Sequence, residues 1–139
     1  MEVDFKKYER KLANLYEINE HDCHIWTKCT RGKYGRINTQ LISGCWHTMN
    51  AHRLKYMVVH RMSFMQMEEF DVSHLCHTPL CINIEHLSLE PSHVNLSREK
   101  CFNRGKCDGH APFAGCRLLS FCYVSIITEI LAIRFLQSL

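Results

Sequence analysis

The sequence predicts an α+β domain of short helices and antiparallel strands. Helical periodicity covers residues 4–20 and 50–62, while short segments rich in Tyr, Ile, Thr and Trp between residues 23 and 48 are typical of β-hairpins. The chain also carries nine cysteines and ten histidines among its 139 residues. That surplus exceeds what apolar packing requires, and it indicates a small domain stabilised by bound metal.

The cysteines favour metal binding over disulfide formation. Residues Met1 to Lys7 are charged and contain no apolar signal region, so we expect a nuclear or cytoplasmic protein rather than a secreted one. Nine is an odd number, and complete pairing would leave one thiol over. Reduced cysteines mixed with histidines are typical of zinc sites.

Basic residues are concentrated between Asp22 and Glu68. No acidic side chain occurs in residues 23–67. The formal net charge of the whole chain is only +3, so this local excess is the more informative quantity. A polyanion is the natural partner of such a stretch, and a solvated basic face is the alternative. The basic residues are Lys28, Arg31, Lys33, Arg36, Arg53, Lys55 and Arg61.

The first half of the chain predicts a helix, two hairpins and a second helix. Residues 4–20 place their apolar side chains on one face, as expected of a packing helix. Glycines predict hairpin turns near Arg31-Gly32-Lys33 and Ser43-Gly44. A short helix follows over 50–62, with Asn50 as its N-cap.

The second half predicts a compact strand–loop–strand–helix unit over residues 70–100. The second strand lies near His86–Leu89, and the helix begins at Glu90-Pro91, because proline suits the first positions of a helix. Residues 101–116 follow as a loop rich in Cys and Gly.

The chain ends in an apolar tail over residues 117–139. Its longest uncharged run, Leu118–Thr128, is too short to span a bilayer, and a longer span would bury Glu129. We therefore expect a packing or dimerising helix, with a membrane attachment over 118–133 as the less favoured alternative. The predicted division is an N-terminal packing helix (1–22), a metal-binding domain (23–116) and this tail (117–139).

Two groups of Cys and His have the spacing of closed zinc sites. Cys76, Cys81 and His86 lie evenly spaced in one loop, and a tetrahedral site needs a fourth ligand. The upstream candidates are Cys23, Cys29 and Cys45. The second group forms a complete Cys₃His set, and its members are Cys101, Cys107, His110 and Cys116. Closed sets predict structural zinc, whereas the alternative is a role as small buried apolar side chains.

His74 and Asn95 lie outside both zinc sets. A strand–loop–strand–helix unit folded on zinc brings the helix back across the hairpin, so the imidazole and the amide are expected to face one cleft. A neutral histidine takes a proton from water, and a hard divalent cation held by oxygen stabilises a leaving alkoxide. This pairing suits phosphodiester hydrolysis, although a lone histidine at this position is also consistent with a purely structural turn residue.

The stretch from Cys23 to Cys116 resembles a known nuclease family. The most specific residues are Ser73-His74-Leu75-Cys76-His77, followed by Cys81-Ile82-Asn83 and Glu85-His86-Leu87. With Asn95 and the Cys-rich loop, the pattern resembles the His-Cys box homing endonucleases and the related zinc-binding-loop proteins of the HNH (ββα-metal) nucleases. The resemblance implies a small zinc-stabilised ββα-metal nuclease domain with an antiparallel DNA-binding sheet.

The resemblance also implies a role for each matched position. His74 matches the general base, and Asn95 matches the single protein ligand of a catalytic Mg²⁺. Cys23 matches the fourth ligand of the first zinc, since it precedes the turn at Tyr34-Gly35. The remaining zinc ligands by resemblance are Cys76, Cys81 and His86 at the first site and Cys101, Cys107, His110 and Cys116 at the second.

The sequence departs from the family pattern at one arginine and in the C-terminal tail, while the pair His52-Arg53 follows the pattern. A family arginine that acts at the scissile phosphate has no clear counterpart, and Arg36 and Arg53 are the candidates. The pair His52-Arg53 resembles a recurrent pair that follows the sheet and has a structural role. Residues 117–139 do not resemble the family's C-terminal arm, which crosses to a partner subunit.

The function implied by the resemblance is a Mg²⁺-dependent DNA endonuclease that hydrolyses phosphodiester bonds and carries two structural zinc ions. Its partner would be double-stranded DNA, and a homodimer acting on a near-palindromic site is expected, because a two-fold protein reads a two-fold site. The alternative is a non-catalytic zinc-binding module, derived from such a nuclease, that binds DNA or protein.

Overall fold

A computed structural model describes residues 1–118 and confirms the predicted α+β class. Within that range the helices are α1 (Phe5–Leu12), α2 (Ala51–His60), α3 (Phe64–Met67) and α4 (Ser92–Arg104). The strands are β1 (Tyr16–Ile18), β2 (His24–Trp26), β3 (Thr30–Arg31), β4 (Tyr34–Gln40), β5 (Trp46–Asn50), β6 (Asp71–His74) and β7 (Leu87–Glu90). A single 3₁₀ turn, Ile84–His86, precedes β7.

The strands pair into three small antiparallel sheets. β1 pairs with β2, β4 lies between β3 and β5, and β6 pairs with β7. The predicted turns at Gly32 and at Ser43-Gly44 connect β3 to β4 and β4 to β5. The third sheet and α4 form the predicted strand–loop–strand–helix unit. The loop between β6 and β7, here called the zinc loop, contains Cys76, Cys81 and His86.

The N-terminal helix is shorter than the prediction of 4–20, which was wrong beyond Leu12. Tyr16 belongs to β1, where its ring stacks on His24 with centroids 4.3 Å apart. The backbone N–H of Thr27 also donates to the Leu15 carbonyl at 3.1 Å. These cross-strand contacts stabilise an extended chain where the sequence pattern alone continues as a helix.

The N-cap of α2 is the predicted residue, whereas the start of the Cys-rich loop differs from the prediction. Asn50 stands at the N-cap position of α2, but its side chain makes no capping hydrogen bond. The predicted loop over 101–116 begins as helix, because α4 continues to Arg104. Gly105 ends α4 in the left-handed conformation (φ 67°), which glycine adopts without steric cost. Cys101 is therefore held on a helix rather than on a loop.

The core lies between α1, α2 and the strands. It is formed by Val3, Tyr8, Leu12, Trp26, Ile37, Leu41, Met49, Ala51, Leu54, Met57, Val58, Met67, Val72, Ile82 and Leu87. Between residues 1 and 118, no helix has both the length and the apolar character needed to cross a membrane. The predicted apolar tail, from residue 119 onward, and Cys122 lie outside the described residues.

Gly35 is required by a close approach between β4 and the core. A Cβ atom at this position would lie 2.7 Å from Cδ1 of buried Trp26 and 3.2 Å from Cβ of Ala51. We expect Gly35→Ala to lower the free energy of unfolding by about 1–3 kcal/mol, the usual cost of overpacking. Thermal unfolding followed by circular dichroism measures this change.

Gly115→Ala is the matched control for this substitution. A Cβ atom at Gly115 meets no atom within 4 Å, and its backbone does not need positive φ. We expect this variant to melt within experimental error of the unmodified protein. Equal destabilisation by the two alanines would contradict the packing argument.

Candidate metal centres and active site

The first metal-ligand cluster contains Cys23, Cys76, Cys81 and His86, all of them buried. Their ligand atoms lie within 4.8 Å of one another. The Nδ1 atom of His86 lies 3.6 Å from the Cys23 sulfur and 3.5 Å from the Cys81 sulfur. The structure thus brings Cys23 to the loop cysteines, whereas Cys29 and Cys45 are exposed.

Backbone pairing explains why these four side chains meet. The loop after β6 returns along β2, where Ile82 N–H donates to the His24 carbonyl at 2.8 Å. Leu75 N–H donates to the His86 carbonyl at 2.8 Å and closes the loop at its base. Asn83 donates to the Asp22 carbonyl at 2.7 Å, which fixes the turn ahead of Cys23. Asn83 is a positioning residue that the spacing of Cys and His did not reveal.

The geometry of this cluster fits Zn²⁺. Zinc–sulfur and zinc–nitrogen bonds of ordinary length at a tetrahedral angle separate sulfur from nitrogen by about 3.6 Å. Both sulfur–nitrogen distances to His86 agree with this value. Burial raises the pKa of the Cys23 thiol, so a bound cation is needed to hold its thiolate form in the interior.

The second cluster contains Cys101, Cys107, His110 and Cys116, and it is less buried than the first. The Nε2 atom of His110 lies 3.3 Å from the Cys101 sulfur and 3.4 Å from the Cys116 sulfur. Two backbone N–H groups, of Gly109 and Cys116, donate to the Cys107 sulfur at 3.4 Å. Such donors stabilise a metal-bound thiolate.

Ser97 determines which nitrogen of His110 faces the sulfurs. Its hydroxyl donates to the Val94 carbonyl at 2.6 Å, and its oxygen lies 3.0 Å from Nδ1 of His110. Because the single hydroxyl proton is already used, Nδ1 must donate to Ser97. Nε2 is therefore unprotonated and free to ligate a metal, as expected where an outer partner fixes the histidine tautomer.

His74 and Asn95 line one cleft of about 560 Å³, beside Lys33, Tyr34 and His77. His74 is the last residue of β6, and Asn95 lies in the first turn of α4. The fold therefore brings together the two residues whose proximity the sequence predicted.

The orientation of His74 leaves one nitrogen available as a base. Its Nε2 lies 3.0 Å from the Cys81 carbonyl, which can only accept a hydrogen bond. Nε2 therefore carries the proton, and Nδ1 is the free base. The ring packs on His52, with centroids 4.3 Å apart. Burial lowers the pKa of His74 to about 4, which favours the neutral imidazole.

Both ends of the Asn95 amide have partners within the protein. Its Nδ2 donates to the Asp71 carboxylate at 3.1 Å. The Ser73 hydroxyl donates to its Oδ1 at 2.7 Å. A carbonyl oxygen has two lone pairs, so Oδ1 keeps one for a further partner in the cleft.

Lys33 lines the cleft, and it was not among the cationic residues expected at the scissile phosphate from the sequence. Arg53 donates to the carbonyls of Phe70 and Met67, which supports the structural role expected for it. Arg36 lies on the exposed side of β4 and lines a different cavity with Trp46. The structure places Lys33 in the lining of the cleft. In the sequence, the only indication of this role is its position directly before the Tyr34-Gly35 turn.

A buried ion pair contributes Arg98 to the lining of the cleft. Arg98 donates to both oxygens of Glu90, at 2.6 and 2.8 Å, and both side chains are almost fully buried. Arg98 also lies 3.5 Å from the Cys116 sulfur, so it links the helix of Asn95 to the second cluster. These two residues are eight positions apart across a strand–helix boundary, and no sequence periodicity marks them.

Comparison with known proteins gives one family match. The family described as the zinc-binding loop region of homing endonuclease matches residues 27–128, nearly three quarters of the chain. The matched range includes both predicted catalytic residues and every cluster residue except Cys23. No curated protein and no solved structure matches.

Proposed function

The chain belongs to the family of the zinc-binding loop region of homing endonucleases, and on this premise we propose that it is a Mg²⁺-dependent DNA endonuclease. The observation that carries the proposal is the cleft that His74 and Asn95 share. Phosphodiester hydrolysis needs a general base for the attacking water and an oxygen ligand for the metal ion. The cleft offers both, in the free nitrogen of His74 and the amide oxygen of Asn95. The two Cys₃His clusters would hold the structural zinc ions on which this arrangement depends.

In the proposed mechanism His74 activates the attacking water. The Nε2–H bond to the Cys81 carbonyl keeps the ring fixed, so that Nδ1 accepts the proton. Asn95 would hold Mg²⁺ through Oδ1, and this ion prefers oxygen ligands and keeps most of its sites for water and phosphate. When bound, Mg²⁺ supplies Lewis-acid stabilisation of the leaving oxygen.

Double-stranded DNA is the proposed substrate, and the basic stretch between Asp22 and Glu68 supports this choice. Exposed side chains alternate along β4, so that Arg36 and Asn38 lie on one face of the sheet. The Thr48 hydroxyl donates to Oδ1 of Asn38 at 2.8 Å from the neighbouring strand. The part of this sheet in which Arg36–Gln40 of β4 pairs with β5 is a ribbon that fits the major groove, where Arg and Asn read base edges.

A homodimer and a nuclear or cytoplasmic location belong to the same proposal. The expected dimer rests on the two-fold symmetry of the DNA sites that symmetric proteins read. Size-exclusion chromatography with light scattering on the zinc-loaded protein tests the dimer directly.

A plasmid-cleavage assay tests the proposed function. Zinc-loaded protein is incubated with supercoiled plasmids of varied sequence, either with Mg²⁺ or with no added divalent cation. We expect nicked and linear products only with Mg²⁺. If zinc-dependent, salt-sensitive DNA binding occurs with no cleavage of any plasmid or of randomised DNA, the protein is instead a non-catalytic binding module.

Lys33 is expected to contact the scissile phosphate. We expect Lys33→Gln to lower the cleavage rate about tenfold, since a hydrogen bond to a charged group contributes about 1.5 kcal/mol. Lys100→Gln is the matched control, because Lys100 is exposed on α4 and does not line the cleft. Equal rates for these two variants would exclude a phosphate contact by Lys33.

A further inference from the structure

We propose that Asp71 is a positioning residue that fixes which end of the Asn95 amide serves the divalent cation. This inference rests on the proposed function, because it concerns the same cleft. Asp71 was not among the residues that the sequence pattern singled out. Its contact with Asn95 is visible only in the folded chain.

The two ends of an asparagine amide have nearly the same shape and opposite hydrogen-bonding character. Only the oxygen binds a cation, so a side chain turned by 180° presents NH₂ and repels the ion. A metal site with a single protein ligand therefore needs a device that determines the orientation of this amide. Neighbouring polar groups provide such devices in metal sites.

Asp71 has the chemistry that this device requires. Its carboxylate can only accept a hydrogen bond, so the amide end that faces it at 3.1 Å must be Nδ2. The opposite end, Oδ1, then faces Ser73, whose hydroxyl donates at 2.7 Å. The Ser73 hydroxyl can donate to an amide oxygen or accept from an amide NH₂, so it tolerates both orientations. The carboxylate, and not the serine, therefore determines the orientation of the amide.

The fold holds this carboxylate in place. Asp71 and Ser73 are two residues apart on β6, so both side chains project from the same face of the strand. Asp71 pairs in register with Glu90 on β7, whose own carboxylate is occupied by Arg98. Asp71 is thus the carboxylate left to contact Asn95, and Oδ1 keeps a lone pair for the cleft.

The first test is Asp71→Asn, which keeps the size of the side chain and lets it donate as well as accept. We expect the Mg²⁺ concentration for half-maximal cleavage to rise at least tenfold, while the maximal rate at saturating Mg²⁺ falls less. A second readout uses no DNA and no turnover. It is the Mn²⁺-induced broadening of the backbone amide signal of residue 95 in NMR spectra of the zinc-loaded protein, which should need at least tenfold more Mn²⁺.

The exchanged pair Asp71→Asn/Asn95→Asp keeps the net charge and tests whether the two positions act together on the divalent cation. Here a carboxylate stands at position 95 and an amide at position 71, so both ends of the group in the cleft are oxygen and the 3.1 Å hydrogen bond can form in reverse. We expect this double variant to regain Mn²⁺ broadening near the unmodified concentration. Asp4→Asn is the control for removal of a remote carboxylate, because asparagine also caps α1.

Each outcome decides the proposal. Unchanged Mn²⁺ and Mg²⁺ dependence in Asp71→Asn, with normal zinc content, overturns it. An exchanged pair that binds Mn²⁺ no better than Asp71→Asn also overturns it, since an oxygen ligand at position 95 would then not be what the single variant lost. Absence of Mn²⁺ broadening at residue 95 in the unmodified protein removes the proposed Mg²⁺ site itself and with it the proposed function.

Discussion

Replacing Cys81 by serine is expected to unfold the domain around the first zinc site. Cys81 is fully buried, and it is bracketed by the sulfur of Cys76 and the imidazole of His86. Structural zinc contributes an apparent binding free energy of about 10 kcal/mol or more at neutral pH. The whole stability of an ordinary domain is about 5–15 kcal/mol, so this loss removes most or all of it.

The measurement is zinc content by mass spectrometry together with thermal unfolding followed by circular dichroism. We expect Cys81→Ser to retain at most one zinc ion per chain and to lose the cooperative transition. Cys29→Ser and Cys45→Ser are matched controls, because both thiols are exposed and outside the clusters. If Cys81→Ser keeps two zinc ions and melts as the unmodified protein does, the first site is not the zinc site assigned to it.

The metal ligands could be predicted from the sequence because most of them lie close to one another along the chain. Cys76, Cys81 and His86 lie within eleven residues, and the second set lies within sixteen. Ligand type and spacing therefore predict both clusters without any tertiary information. The fourth ligand of the first site is more than fifty residues upstream, and residue types alone left three cysteines open. The family resemblance favoured Cys23, and the pairing of β2 with the zinc loop places it there.

The residues that sequence reasoning missed act through contacts distant in sequence. Asp71 and Asn95 are 24 positions apart, and Lys33 reaches the cleft from the β3–β4 turn, far from both in sequence. Asn83, which the sequence motif contained without a role, donates to the Asp22 carbonyl across 61 positions. A hydrogen bond of this kind depends on how two elements pack, and neither helical nor strand periodicity records it.

The same limitation explains the error at the N-terminus. Phe5, Tyr8 and Leu12 have helical spacing and lie on α1. Tyr16 continues the pattern, yet β1 pairs with β2 at this point. Local propensity was overridden by a tertiary partner, which is the usual way such predictions fail.

Replacing His74 by alanine is expected to lower the rate of DNA cleavage by about 10²–10⁴-fold, the usual contribution of a general base. The imidazole is the base of the cleft with a defined free nitrogen, since its Nε2–H is committed to the Cys81 carbonyl. The first zinc site holds that carbonyl, so the orientation of His74 depends on the metal without His74 being a ligand. The variant therefore separates chemistry from stability.

The assay compares initial rates of plasmid cleavage at saturating Mg²⁺ for the unmodified protein and for His74→Ala, with zinc content and DNA affinity measured on the same samples. His93→Ala is the matched control, because His93 lies on the exposed side of α4. We expect His74→Ala to retain two zinc ions and its affinity for DNA, and His93→Ala to retain full activity. A cleavage rate for His74→Ala within about threefold of the unmodified rate would exclude His74 as the general base, because removal of a true base costs at least 10²-fold.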